Sequence, residues 1–219
     1  MLVSYILGAQ TQGHDKFNDG NPSILRLQDL IEDAWAKDIN VEGKTETGGI
    51  LGTRKYIGTP EAQALFRGLG IPCKVGAYGD TPGGFCAWEA LLASVQQYFR
   101  LDAKDSQPTS SATLSSSKVH QTSLPPIYLQ RPHHSLTIVG IEIRSDGSSD
   151  LLVFDPAYSL SPSMRKAVKR CQEEPGNGST ISVGSNYARR VLKPHRRRKH
   201  QMQLYTRFET LMLTSLSDS

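Results

Sequence analysis

PPIYLQRPHHSLTIVGIEIRSDGSSDLLVFDP, residues 125 to 156, decides how the rest of the chain is read. From Ser135 to Ile143 both alternating sets of residues are largely apolar, and Leu151 to Phe154 continue the pattern, which suits central strands covered on two faces. The polar run Ser145-Asp146-Gly147-Ser148 between them is a hairpin signal. A histidine stands where the first strand begins and an aspartate where the second ends. With Asp146-Gly147 as a two-residue turn, His134 falls opposite Ser159 and Asp155 opposite Ile138, so the two share a face. They are then four residues apart along the ladder, about 13 Å at the rise of a strand, and a bulge or strong twist has to close the gap. An aspartate that accepts from one ring nitrogen of a histidine fixes the tautomer and raises the basicity of the other nitrogen, as a Cys or Ser nucleophile requires. The same residues also fit a satisfied histidine at a strand end followed by an Asp-Pro turn.

Outward from the hairpin, helices are read in four places. Pro22-Ser23 opens an amphipathic helix to Lys37 with Ile24, Leu27, Ile31 and Trp35 on one side. Thr59-Pro60-Glu61 caps a second, Pro60 to Leu69, closed by Gly70. A third runs from Ala87 to Arg100, and Ser161-Pro162-Ser163 starts another that reaches about Cys171. Ile71 to Val75 reads as a short strand and Gln201 to Phe208 as the last one. The apolar opening Met1 to Leu7 has no capping residue before it and reads as the remainder of a longer helix. The glycine-rich stretch Gly48 to Gly58 precedes a helix but contains no GxxxxGK[ST] pattern, so a nucleotide site is set aside.

At 219 residues and 37% apolar residues the chain is long enough for one sizeable core, expected as a single domain over 1–219. Between Ala103 and Pro125 the composition changes to Ser and Thr, an insert expected to be disordered. Cys73, Cys86 and Cys171 form no CxxC pair, which excludes a zinc ribbon and favours a reducing compartment, cytoplasmic or nuclear. No histidine pair has metal-ligand spacing, no metal or organic cofactor is expected, and no run approaches membrane-spanning length. The formal charge of +4 is local: seven Lys and Arg lie between Arg189 and Lys199, and without them 18 bases face 21 acids. This segment, about 186–200, is expected to be a solvated basic loop, with a nuclear address as the next reading. Nucleic-acid binding is not expected, because aromatic residues are nearly absent from it.

Three residues carry candidate chemistry, Cys86, His134 and Asp155, in that order. A thiol at a glycine-preceded helix start has its anion favoured by the helix dipole. The favoured reading of Cys86 is nonetheless a small buried hydrophobe on the helix face that carries Trp88. His133 competes with His134, but neighbours on a strand point opposite ways, so only one of them faces the site.

The hairpin resembles a known family through Pro126 to Gln130, His134-Ser135, Thr137 to Glu142 and Leu152 to Pro156. The likeness extends to Leu27-Gln28, Ile31-Glu32, Ala34-Trp35, Gly52 to Thr59 with Glu61, and Lys199-His200. It is with the papain-like cysteine peptidases specific for ubiquitin-fold modifier, together with zinc-finger deubiquitinases of the ZUFSP type. The resemblance implies an α+β fold of the papain-like kind, with a mainly antiparallel central sheet and packed helices. It also implies a thiol-dependent isopeptidase whose partners are ubiquitin or ubiquitin-fold modifier and their conjugates, a monomer without membrane attachment. It selects His134 over His133 as the base and gives Asp155 the orienting role. The family's nucleophile lies in Cys-Gly-Tyr-Arg-Asn-x-Gln-Met, and Met1-Leu2-Val3-Ser4 resembles the end of that motif and the residues just after it. The resemblance therefore implies a nucleophile just upstream of Met1, an N-terminally truncated domain and an inactive chain, with Cys86 a substitute of low weight. The alternatives are a non-catalytic ubiquitin-like-binding module and a thiol hydrolase built on Cys86, His134 and Asp155.

Overall fold

The computed structural model describes residues 1–84, 86–105, 119–173 and 190–214. Its centre is a six-stranded antiparallel sheet: β1 Cys73–Gly79, β2 Ile127–Arg131, β3 His134–Ile143, β4 Ser149–Phe154, β5 Arg196–Arg197 and β6 Arg207–Leu213. The spatial order is β1-β6-β2-β3-β4-β5, so the last strand in sequence lies between the first two. Alternate residues of one strand divide between the two faces. Tyr128, Leu211 and Leu213 join a core with α1 Leu2–Ala9, α2 Ile24–Trp35 and α4 Thr59–Gly68. Ile127, Leu129 and Phe208 join a second core built on α5 Ala87–Asp105 through Trp88, Leu91 and Val95. The architecture is α+β, an antiparallel sheet packed with helices, as expected.

Local chemistry explains the helix ends. The Ser23 hydroxyl accepts from the Arg26 N–H at 3.2 Å and caps α2. Glu61 reaches back to the Gly58 N–H at 2.6 Å and caps α4, and Asp80 accepts from the Ala87 N–H at 2.7 Å at the start of α5. Helices α2 and α4 approach closely because α4 ends on a glycine: a Cβ on Gly68 would stand 2.7 Å from that of Ala34.

The glycine-rich stretch is not an anion cradle, because α2 already occupies its amides. Glu32 accepts from the Ile50 N–H at 2.6 Å and Gln28 from the Gly52 N–H at 2.9 Å. A short α3, Val41–Thr47, precedes it, which the spacing of apolar residues does not signal.

Several expected boundaries move. β1 begins at Cys73 rather than Ile71 and runs to Gly79. The last strand is not Gln201 to Phe208: residues Lys199–Met202 form a helical turn, α7, with the Gln201 side chain accepting from the Arg198 N–H at 3.0 Å. The strand begins at Arg207 and carries Phe208, Leu211 and Leu213. The helix after Ser161 is α6, Pro162–Glu173. α5 continues to Asp105, into the Ser/Thr-rich insert, whose residues 106–118 lie outside the described residues.

The segment expected to be a solvated basic loop instead holds β5, paired through Arg197 with Leu151 and through Arg196 with Leu152. Three of its bases, Arg196, Arg197 and Lys199, are matched by acids on β3, just past β4 and on α5. Arg196 grips Glu142 through two contacts at 2.5 and 2.9 Å, Arg197 pairs with Asp155, and Lys199 meets Glu89 at 3.2 Å. Bases that neutralise the fold's own acids are not free to neutralise phosphates.

Candidate active site

His134 and Asp155 come together, and the backbone route is a correction to the simple hairpin. The turn is not two residues long: the Arg144 N–H donates to the Ser148 carbonyl at 2.9 Å, leaving Ser145-Asp146-Gly147 as the loop, with Gly147 at φ 79°. That shifts the register by one residue. A bulge at Val139 shifts it again, since Gly140 pairs with Leu152 but Ile138 with Val153. One slip alone would put His134 and Asp155 on opposite faces; two restore the shared face. Continued past Thr137–Phe154, the register sets Asp155 opposite Leu136 rather than Ile138. His134 is then two residues away instead of four, about 7 Å along the strand, which side chains can span.

His134 Nε2 meets Asp155 Oδ1 at 2.8 Å. With the proton on Nε2 donated to the carboxylate, Nδ1 keeps a lone pair and is the basic nitrogen. The ring is half-buried, while the carboxylate is nearly sealed, with 5% of the side chain exposed. Burial pushes the Asp155 carboxyl up, but the Ala157 N–H at 2.9 Å, His134 and Arg197 together hold it below the ordinary carboxylate value. It is therefore ionised, and able to hold an imidazolium, across the neutral range.

His133 stands elsewhere than expected. It is not on the strand: Pro132 and His133 form the β2–β3 turn between the paired Arg131 and His134, and His133 adopts φ 63°. Proline first and a positive φ second is the pattern of a type II turn.

Asp155 lines a cavity of about 680 Å³ on the α2–α4 side of the sheet. Leu27, Leu65 and Phe66 of the helices and Phe154 and Tyr158 near Asp155 make it mostly apolar, and Met1, Leu2 and Val3 bring the N-terminal end of α1 to it. The Tyr128 hydroxyl bonds Ser135 Oγ at 2.8 Å in its wall; burial raises that phenol, the Ser135 bond lowering it only in part. Cys86 does not line this cavity. It packs on the α5-side core, and among the described residues no hydrogen bond joins it to His134 or Asp155. Cys73 belongs to the other core, and burial pushes its thiol up against the pull of Arg67. Among the described residues no group of three His, Cys, Asp or Glu side chains could hold a metal ion, and no helix is long and apolar enough to cross a membrane.

Arg197 and His195 are the site-adjacent residues that sequence reasoning missed. Arg197 donates to Asp155 Oδ2, and His195 approaches the Val153 carbonyl at 3.2 Å through Nδ1 while stacking edge-on against Phe154. The resemblance touched Lys199-His200 two residues on, but no local pattern shows which arginine of Arg196-Arg197-Arg198 turns toward β4.

A histidine bonded through one ring nitrogen to a buried carboxylate, beside an apolar cavity, is an arrangement that can accept a proton from a nucleophile. The chain belongs to peptidase family C78, whose family model matches residues 1–209. It is 32% identical over 174 residues to the mouse protein "Zinc finger-containing ubiquitin peptidase 1", covering 79% of this chain and 28% of that protein. The Bos taurus protein of the same name is 34% identical over 176 residues, with the same shares covered. "Ubiquitin carboxyl-terminal hydrolase mug105" of Schizosaccharomyces pombe is 31% identical over 157 residues, 71% of this chain and 56% of its own length. The chain thus spans about 28% of the length of the mammalian relatives. The solved structure of UfSP from C.elegans aligns with 91% of this chain and 26% of its own, at 13% identity and a TM-score of 0.43, a likeness too slight to carry an argument.

Proposed function

We propose that this chain is the base-bearing part of a cysteine-type isopeptidase domain acting on ubiquitin or ubiquitin-fold modifier. The single observation that supports it most is the 2.8 Å contact of His134 Nε2 with a buried, ionised Asp155 next to a mostly apolar cavity. In the complete reaction a thiol gives its proton to His134 Nδ1, and the thiolate attacks the carbonyl of the isopeptide bond. The imidazolium, held by Asp155, returns the proton to the departing amine, and water then hydrolyses the thioester. The thiol belongs at the N-terminal end of α1, which opens on the cavity, and so to residues that would precede Met1 in a longer chain. Neither of the described thiols, Cys73 and Cys86, lines the cavity, which supports the reading that the 219 residues alone have little or no peptidase activity. A reducing setting, cytoplasmic or nuclear, suits such a thiol.

The test is turnover of fluorogenic ubiquitin and ubiquitin-fold-modifier substrates by the 219-residue chain and by the chain extended with Cys-Gly-Tyr-Arg-Asn-x-Gln before Met1. Turnover by the extended form alone, abolished by His134→Ala, is the expected result. Cleavage by the 219-residue chain that disappears in Cys86→Ala would move the nucleophile to Cys86 and sink this reading. The absence of either described thiol from the cavity also favours a second reading, a module that binds the modifier without cleaving it. Saturable binding with no turnover in the extended form would support that one.

A further inference from the structure

Asp155 is held from two sides by groups on different strands. His134, at the start of β3, takes Oδ1, and Arg197, on β5, takes Oδ2. Arg197 is itself fixed. One Nη1 donates to the Pro194 carbonyl at 2.8 Å and to the Arg196 carbonyl at 3.0 Å, and its guanidinium carbon lies 5.6 Å from the centre of the Tyr158 ring. Its side chain is 12% exposed. A carboxylate at a strand end rotates about its last torsion, which is broad and nearly two-fold. The Ala157 N–H also donates to Oδ1, so that oxygen already has a competitor for its direction.

We infer that Arg197 is a positioning residue for the His134–Asp155 pair: by holding Oδ2 from β5 it commits Oδ1 to His134 Nε2, and so sets which ring nitrogen of His134 is left basic. The inference rests on reading His134 as the base, and Arg197 acts on it only through Asp155. A guanidinium suits this task because its fixed fork lets one face hold backbone carbonyls while the other holds an acid.

The experiment needs no turnover, so its failure and the failure of the proposed peptidase chemistry are distinguishable. Ring ¹⁵N shifts of His134 are recorded on the 219-residue chain at a pH where the ring is neutral, for the unaltered chain, Arg197→Met and Arg197→Lys. The unaltered chain should show the Nε2–H tautomer. In Arg197→Met the Nδ1–H fraction should rise at least about threefold, and Arg197→Lys, which can still donate to Oδ2, should restore the original tautomer. Backbone amide spectra establish that each variant is folded, and if Arg197→Met does not fold, Arg197→Leu, which likewise has no donor, takes its place with the same expectation. A folded Met or Leu variant with an unchanged tautomer overturns the inference. So does a Lys variant as disturbed as the Met variant, because arginine would then serve packing rather than the Oδ2 contact.

Discussion

Replacing Asp155 with alanine tests the site's electrostatics directly. The side chain is 5% exposed and that of its partner Arg197 12%, so the substitution leaves a guanidinium in a poorly solvated place without its counter-charge. Breaking a buried ion pair from one side costs about 3–5 kcal/mol. Arg197 keeps two backbone carbonyls and the Tyr158 ring, which places the expected cost near the lower end, about 3 kcal/mol. For a domain of this size that is a fall in Tm of roughly 6–12 °C. The companion variant Asp155→Leu with Arg197→Met removes both charges and should recover most of the loss. The pH dependence has a definite sign. The Asp155 carboxyl is held lower in the fold than its ordinary value, so its contribution is fully present above that ordinary value, about 3.9. It fades as pH falls through the folded value. The stability gap between the unaltered chain and Asp155→Ala should therefore be flat from pH 5 to 7 and shrink below about pH 4. Urea titrations across that range measure it. A gap under about 1 kcal/mol at pH 7, or one that does not narrow in acid, would refute the picture of a buried, doubly held carboxylate.

Other outcomes are equally specific. Deleting Val139, the unpaired and 40% exposed bulge residue, should leave the chain folded, whereas deleting Thr137 from the paired ladder should not; amide spectra of both decide it, and equal damage would remove the bulge from the account. Gly68→Ala should cost about 1–3 kcal/mol by chemical denaturation, because its Cβ would press on Ala34 and part α4 from α2. Ile138→Ala, fully buried in the α5-side core, should cost about 2–5 kcal/mol in the same assay. Gly147→Ala should cost about 1 kcal/mol at φ 79°, and a neutral result would mean the three-residue turn is not the one adopted.

What the sequence made legible was the hairpin strands and the main helices packed near them, and the two residues at the strand ends. Asp155 and His134 were readable because an acid after an apolar run and a histidine before one are conspicuous. Their separation was not, because both alternating sets of β3 are apolar: Ile138 and Ile141 both pack on the α5-side core, and nothing in such a run shows where the alternation breaks. Arg197 was hidden for another reason. Its role depends on β5 pairing with β4 across more than forty intervening residues, a contact that local composition does not encode. Composition alone made Arg189 to Lys199 look solvated, while the acids that receive Arg196, Arg197 and Lys199 lie on β3, just past β4 and on α5. Phe208, Leu211 and Leu213 alternate too sparsely against polar neighbours to announce a strand flanked on both sides.

The place of β6 has a consequence for how the molecule is made. Among the described residues β1 pairs with β6 alone, and β2 meets β6 on its other edge, so residues 207–213 join the first strand to the hairpin within the sheet. On a ribosome, which delivers the chain from its N-terminal end, β1 and β2 each wait with an open edge until those seven residues emerge. Pairing of the first strand with the hairpin that holds the His134–Asp155 pair therefore waits on a contact between strands far apart in sequence, the kind of long-range pairing that forms slowly.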